Sequence, residues 1–167
     1  RFYLVYRALV RAKVAAIGHA PEEFASYVTL AERLARREPA MLVAMHGLPA
    51  SGKSTVAARL VEALGGVRVR SDVERKRLYG LDPLARSAAL GLDIYGAQAT
   101  RQTFERLRAC ARDALLAGYP VIVDAAFLRG AERRSFEALA TELRVPFTIL
   151  DCRASPARRR QRMSRVF

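Results

Sequence analysis

One short segment limits the folds open to this chain more than any other feature: the eight residues from Gly47 to Ser54 have the spacing Gly-x-x-x-x-Gly-Lys-Ser. The apolar run 41–45 just before it is too short for a helix and is typical of a strand buried on both faces. A helical pattern follows from Lys53 to Leu64 and ends at the glycine pair 65–66. A strand, a glycine-rich loop and a helix in this order predict a loop that binds phosphate groups.

Each residue type in this loop has a physical reason to be there. Glycines allow the backbone to adopt positive φ and to bring its N–H groups close to an anion, and the helix N-terminus adds its positive dipole end. We expect Lys53 to reach the β- and γ-phosphates of a nucleotide and Ser54 to offer its hydroxyl to Mg²⁺. The residues predicted to bind the nucleotide are Gly47, Leu48, Pro49, Ala50, Ser51, Gly52, Lys53, Ser54 and Thr55.

The remainder of the chain repeats an alternation of strands and helices. Short apolar runs at 67–69, 121–123 and 147–150 are typical of strands, and helical patterns follow at 73 onward, 93–117, 132–143 and 155–165. This alternation predicts an α/β fold, a three-layer sandwich with a parallel sheet between two layers of helices, as in P-loop NTPases. Ser71 or Asp72 is expected to cap the helix that begins at Val73.

The first 38 residues lack any phosphate-binding signature. Their apolar spacing predicts one helix from Arg1 to Ile17 and a second that begins at Pro21. We therefore divide the chain into a helical segment, 1–38, and a domain that contains the phosphate loop, 39–167. That domain is expected to lack its final strand, which would lie in residues absent from this sequence.

Acidic residues follow three of the predicted strands, where ligands of open α/β sheets bind. We choose Asp72 as the base that accepts a proton from the acceptor hydroxyl in phosphoryl transfer, with helix capping as the alternative role. Asp124 is expected to hold Mg²⁺ through water or to grip the substrate, and alternatively to orient the phosphate loop. For Asp151 we expect a structural role.

Arginines are the second group of candidates, because phosphoryl transfer spreads negative charge over three oxygens. Arg75 lies one helical turn beyond Asp72 and is a candidate for binding substrate or phosphate. Arg158, Arg162 and Arg165 share a face of a dense basic segment that is predicted to close over ATP as a lid. The alternative is an exposed, solvated basic helix.

The composition restricts the class of protein further. Of 29 basic residues only three are lysines, and the net charge is +13. This excess reflects either a high-GC coding sequence or affinity for nucleotides, phosphorylated substrates or nucleic acid. Two cysteines, Cys110 and Cys152, are too few for a disulfide framework and are expected to be inert. Because the chain shows no signal peptide and no membrane-spanning run, we expect a cytoplasmic protein with no membrane partner.

Three segments together resemble a family of bacterial P-loop kinase-like proteins: HGLPASGKST at 46–55, RSDVERKR at 70–77 and VIVDAAFL at 121–128. The family is related to zeta toxins, gluconate kinases, chloramphenicol phosphotransferases and the kinase domain of polynucleotide kinase. The resemblance covers about Leu42 to Arg165. In it, Asp72 matches the catalytic base, Arg75 the nearby substrate-binding arginine and Asp124 the acid that ends the third strand. Arg162 and Arg165 match the lid arginines.

This resemblance implies a kinase that uses ATP and Mg²⁺ and phosphorylates a hydroxyl of a small molecule, with Lys53, Asp72 and Arg75 as catalytic residues and Ser54 and Asp124 at the metal. Two alternatives stay open: phosphorylation of a nucleic-acid 5′ end, and nucleotide binding without catalysis in a regulatory module. The segment Tyr3 to Lys13 is similar to the end of an aminoglycoside-phosphotransferase-like domain. That similarity implies such a domain before this one in the full-length chain.

Overall fold

A computed structural model of the chain describes residues 2–36, 39–82 and 94–164. The chain forms two compact units, Arg1–Glu38 and Pro39–Phe167. Among the described residues, no helix is both long enough and apolar enough to span a lipid bilayer.

The first unit is a pair of helices, α1 (Phe2–Ile17) and α2 (Pro21–Ala35). Small residues form the interface: Ala8, Ala12 and Ala15 of α1 and Ala31 of α2 are buried. The guanidinium of Arg11 lies 5.4 Å from the centre of the Tyr27 ring and donates to its hydroxyl. Both helices predicted from the sequence are therefore present, although their origin in a preceding domain stays a prediction.

The second unit is built on four strands, β1 (Leu42–His46), β2 (Val67–Arg70), β3 (Val121–Asp124) and β4 (Phe147–Asp151). All of their pairings are parallel, and their order across the sheet is β2-β3-β1-β4. The register pairs Arg70 with Asp124 and His46 with Asp151. The carboxyl ends of all four strands thus meet at one edge of the sheet.

The described residues of this unit also form five helices: α3 (Lys53–Leu64), α4 (Ser71–Leu78), α5 (Ala97–Leu116), α6 (Gly130–Leu143) and α7 (Pro156–Met163). Leu42 and Ala44 face a core formed with α5 and α6. Val43 and Met45 face a smaller core formed with α3. This alternation along a strand with both faces buried confirms the predicted α/β fold with a parallel sheet between helices.

Three predicted helix starts are wrong by two residues or more, and one of them is that of α6, which begins at Gly130 rather than Glu132. Helix α4 begins at Ser71 rather than Val73, and its N-cap is Arg70, which has no capping side chain. Ser71 does not cap because its hydroxyl donates to the Asp124 carbonyl oxygen, and Asp72 instead pairs with Lys76. Helix α5 begins at Ala97 after a turn at 94–96, whereas the periodic pattern placed its start at Asp93, which lies outside the described residues.

Three phenylalanine rings fix the segment that follows β3. Phe127 is fully buried with a left-handed backbone, φ 50°. Its ring packs edge-on against Phe104 at 5.3 Å and Phe136 at 5.0 Å between ring centres. Such aromatic pairs add to the stability gained from burial. The residues between Asp124 and Phe127 are therefore held between the sheet and helices α5 and α6.

The packing of α5 leads to a prediction for two of its leucines, one buried and one exposed. Leu107 is fully buried, whereas Leu116 on the same helix is 66% exposed. We expect Leu107→Ala to lower the free energy of unfolding by about 2–5 kcal/mol, since it leaves a cavity in the core. Leu116→Ala should change it by no more than about 0.5 kcal/mol. Urea unfolding followed by circular dichroism measures both values, and equal losses would contradict the assignment of the buried face.

Candidate functional site

The phosphate loop joins β1 to α3 and contains three residues with positive φ: Gly47 at 138°, Ala50 at 60° and Gly52 at 99°. Gly52 is the N-cap of α3, and no side chain of the described residues caps this helix. The N-terminal N–H groups of a helix bind anions when no side chain takes them. The loop therefore has the backbone shape and the donors that its sequence predicts.

Gly47 lies where three strand ends converge. Its N–H donates to the Ala126 carbonyl oxygen at 3.2 Å, and the Cys152 N–H donates to the carbonyl of the preceding residue, His46, at 2.8 Å. A Cβ atom on Gly47 would lie 2.4 Å from the Cys152 carbonyl oxygen and 2.9 Å from the Ser51 hydroxyl. No other residue type fits here without a shift of the backbone, so the first glycine of the motif is required by packing as well as by φ.

The ammonium group of Lys53 lies across the loop. Its Nζ donates to the carbonyl oxygens of Gly47 and Leu48, both at 2.8 Å. Partial burial lowers the pKa of Lys53, while the nearby Asp124 carboxylate acts in the opposite direction. The lysine is thus placed over the loop's carbonyl groups, within reach of any anion bound to the loop amides.

Asp124 is buried, 6% exposed, at the end of β3. Its Oδ2 accepts hydrogen bonds from the Ser54 hydroxyl at 2.9 Å and from the Arg68 guanidinium on β2. The two residues predicted at the metal, Ser54 and Asp124, are therefore in direct contact. Arg68 is a member of this site that we did not predict. Its one signal in the sequence is its position inside a short strand, because a basic side chain that a sheet buries requires an acidic partner.

The second pair of predicted residues lies on α4. Oδ2 of Asp72 accepts from Lys76 Nζ at 3.0 Å, and the carboxylate is about half exposed. The Arg75 guanidinium donates to the Ile94 carbonyl oxygen at 2.7 Å and lies 5.0 Å from the centre of the Tyr95 ring. Asp72 is therefore positioned by a neighbouring charge, and Arg75 is tied to the segment that leads into α5.

One cleft of 490 Å³ brings these side chains together. Its walls come from the phosphate loop, from α4, from Tyr95 and from the end of β3. The predicted site residues that line it are Lys53, Ser54, Asp72, Arg75 and Asp124. Residues from three separate chain segments thus converge at the carboxyl edge of the sheet, where ligands of α/β folds bind.

A neighbouring cavity of 530 Å³ is lined by the loop, by Thr55 and by two residues of α7, Arg162 and Met163. The Arg162 guanidinium donates to the Ala50 carbonyl oxygen at 3.2 Å. Helix α7 therefore contacts the phosphate loop through Arg162, one of the three arginines predicted to form the lid face. Arg158 is exposed, and Arg165 lies outside the described residues.

Asp151 and the two cysteines, Cys110 and Cys152, lie in surroundings that fit a structural role. The Asp151 carboxylate accepts from His46 Nδ1 at 2.9 Å and from Arg153, and these partners hold its pKa below the usual range. Burial raises the pKa of both the Cys110 and the Cys152 thiol, which disfavours the reactive thiolate. The predicted inert character of the cysteines agrees with these environments.

Residues 42–165 match the model of the AAA_33 family, which is described as an AAA domain. The chain belongs to this family. No curated protein matches its sequence. The AAA_33 match agrees with the resemblance to P-loop kinase-like proteins, and it covers the sheet, the phosphate loop, both cavities and Arg162.

Solved structures share the fold of this AAA_33 domain. A candidate kinase from Chloroflexus aurantiacus j-10-fl has a TM-score of 0.62 and 20% identity over 77% of this chain and 67% of its own. The Mycobacterium tuberculosis APS kinase CysC, solved with AMPPNP and APS, has a TM-score of 0.55 and 23% identity over 74% and 68%. A chain of the Pnkp1/Rnl/Hen1 RNA repair complex has a TM-score of 0.58 and 18% identity over 80% of this chain and 40% of its own. At these identities the likeness concerns the fold.

Gly47 provides the test of the loop geometry. Gly80 also has positive φ, 67°, but a Cβ there would meet no atom within 4 Å. We expect Gly80→Ala to cost about 1–2 kcal/mol from its left-handed backbone alone. Gly47→Ala should cost more, because the Cys152 carbonyl must also move. Urea unfolding compares the two variants, and equal costs would show that the close approach to Cys152 is not what requires glycine.

Proposed function

We propose that this domain is a kinase that transfers the γ-phosphate of ATP to a hydroxyl group of a small molecule. The observation that carries the proposal is the single cleft shared by Lys53, Ser54, Asp72, Arg75 and Asp124. A phosphate loop alone binds nucleotides, whereas transfer also needs a carboxylate and cationic groups beside the reacting phosphate. Membership of a P-loop kinase-like family supports the same reaction class.

ATP would place its phosphates over the loop amides and the N-terminus of α3. Lys53 would exchange its two carbonyl partners for β- and γ-phosphate oxygens, which accept stronger, charge-assisted hydrogen bonds. Thr55 and Arg162 line the adjoining cavity and suit the rest of the nucleotide. In this assignment Arg162 supplies positive charge from α7, as the predicted lid residue.

Ser54 and Asp124, beside the loop, have the oxygen atoms that Mg²⁺ requires. Ser54 and Asp124 present oxygen ligands side by side, but Asp124 also carries the Arg68 ion pair. The described residues contain no cluster of three metal-binding side chains, which suits an ion that takes most of its ligands from phosphates and water. We therefore assign Ser54 as a direct ligand and Asp124 as a residue that holds a bound water. Bound Mg²⁺ would offset charge on the phosphate oxygens.

In the proposed reaction the acceptor hydroxyl attacks the γ-phosphorus. Its oxygen forms the new P–O bond, its proton passes to the Asp72 carboxylate, and the bond to the β-phosphate oxygen breaks to release ADP. Lys76 holds the carboxylate at the cleft through Oδ2. Arg75 lies one turn further along α4 and would bind the acceptor or the transferred phosphate.

The acceptor class has one specific alternative. Arg70 and Arg75 both line the cleft, and the net charge of +13 favours polyanions, so a nucleic-acid 5′ end is a second candidate acceptor. Steep loss of affinity with salt would distinguish a nucleic acid from a small molecule.

Tight nucleotide binding without turnover would instead indicate a regulatory module. A cytoplasmic location and a preceding phosphotransferase-like domain remain part of the proposal.

Lys53→Ala tests nucleotide binding. We expect ATP affinity to fall at least 10- to 100-fold, because charge-assisted hydrogen bonds of about 1.5–3 kcal/mol are lost. Lys13→Ala, which removes an exposed lysine of the helical unit, is the matched control and should leave the affinity unchanged. Isothermal titration calorimetry measures both, and normal ATP affinity in Lys53→Ala would contradict the assignment of the loop.

Asp72→Asn tests the catalytic base. We expect ATP affinity to stay within about twofold and phosphoryl transfer to fall by about 10²–10⁴, the usual contribution of a positioned base. The exposed Asp113 on α5 gives the control variant, Asp113→Asn. Acceptor-dependent ADP release is the readout, after a screen of sugars, aminoglycosides, nucleosides and oligonucleotides with the full-length protein. Unchanged turnover would remove Asp72 from the mechanism, and lost ATP affinity would move it to the nucleotide site.

A further inference from the structure

A third cavity, of 390 Å³, touches the first half of the phosphate loop and takes its other walls from different parts of the domain. These walls are the segment between β4 and α7, Leu128 after β3, and Arg159 on α7. Of the residues that we assign to the nucleotide, Gly47, Leu48 and Ser51 line it, whereas Lys53, Ser54 and Thr55 do not, and neither do Asp72 and Asp124. The cavity is therefore separate from the proposed reaction cleft.

Two buried polar atoms of residues that line this cavity lack a hydrogen-bond partner. They are the hydroxyl oxygen of Ser51 and Nε of Arg159, and the described part of the chain contains only one further such atom, Nε of Arg68. A buried polar group without a partner costs about 1–3 kcal/mol. Ser51 is only 7% exposed, so bulk water does not readily compensate for this loss. The Nε–H of Arg159 can only donate, whereas the Ser51 hydroxyl can donate or accept, so an acceptor is the partner that would satisfy both groups.

The charges around the cavity specify the acceptor further. Asp151 is the one acid in its lining, and its carboxylate is already shared by His46 and Arg153. No ion pair joins Arg159 to any acid among the residues that the structure describes. Arg159 thus brings a positive charge, with no acidic partner among the described residues, to a cavity that Ser51 also lines. A neutral acceptor would leave that charge unpaired, whereas an oxyanion would pair with it.

Part of the remaining wall is apolar. Leu48, Leu128 and Ala154 line the cavity, and both leucines are about half exposed. We propose that this cavity binds a small organic anion, with its carboxylate or phosphate group at Arg159 and Ser51 and a short apolar or aromatic body against Leu48 and Leu128. The site adjoins that of the nucleotide and shares Gly47, Leu48 and Ser51 of the phosphate loop with it, but its cation is Arg159 instead of Lys53.

Phenyl phosphate is a suitable probe because it combines an oxyanion with an apolar ring. We expect titration of the full chain, followed by ¹⁵N–¹H NMR, to give saturable shifts at the amides of 152–154. Arg159→Leu should weaken this binding at least tenfold, while Arg160→Leu, which removes the exposed neighbour on the same helix, should not. The binding should persist in Lys53→Ala, which removes the charge of the nucleotide site.

Three results would overturn the site. Equal affinity in Arg159→Leu and the unaltered chain would remove the proposed anchor. Shifts confined to 53–55 that disappear in Lys53→Ala would place the anion on the phosphate loop itself. Absence of saturable shifts would mean that the cavity holds water only. If Arg159→Leu fails to fold, Leu128→Trp fills the cavity from its apolar wall and should abolish the same shifts. None of these outcomes depends on kinase activity.

Discussion

A single buried carboxylate, that of Asp124, connects the parts of this domain that must act together. Its Oδ2 receives hydrogen bonds from Ser54 at the start of α3 and from Arg68 on β2. Its backbone carbonyl oxygen receives the Ser71 hydroxyl at the start of α4. A buried charge without partners is strongly unfavourable, so the fold keeps these elements in place around it. The phosphate loop and the helix that carries Asp72 are thereby fixed to the same strand end.

This arrangement depends on the strand order. Because β3 lies between β1 and β2, its end is adjacent both to the phosphate loop that follows β1 and to the helix that follows β2. Strand β4 pairs with the other side of β1 and leads into the basic helix α7. The sheet thus places a carboxylate helix on one side of the loop and an arginine helix on the other. The phosphoryl transfer that we propose would use this division, with a base near the acceptor and cations around the phosphates.

The parts that could be predicted from the sequence are those encoded by local signals. The strand and helix around the phosphate loop were predictable because a short apolar run, glycines at fixed positions and a helical pattern lie within about 25 residues of one another. The contact of Asp124 with Arg68 was not, because it joins strands 56 residues apart whose pairing depends on the order of the sheet. The start of α4 was misplaced for a similar reason. Ser71 has the right residue type for a cap, but its hydroxyl bonds to a distant strand end instead.

The cations beside the phosphate loop are paired with carbonyl groups of the loop itself. Lys53 donates to two loop carbonyl groups, and Arg162 donates to a third at Ala50, so both cations already have partners near the place where phosphates would bind. A neutral carbonyl oxygen is a weaker acceptor than a phosphate oxygen, and exchange of one for the other keeps each charge paired throughout. The side chains therefore need little reordering to meet an anion, which reduces the entropic cost of binding. The loop instead requires an unusual backbone conformation, with positive φ at Gly47 and Gly52. Both residues adopt it without a steric penalty because they lack a Cβ.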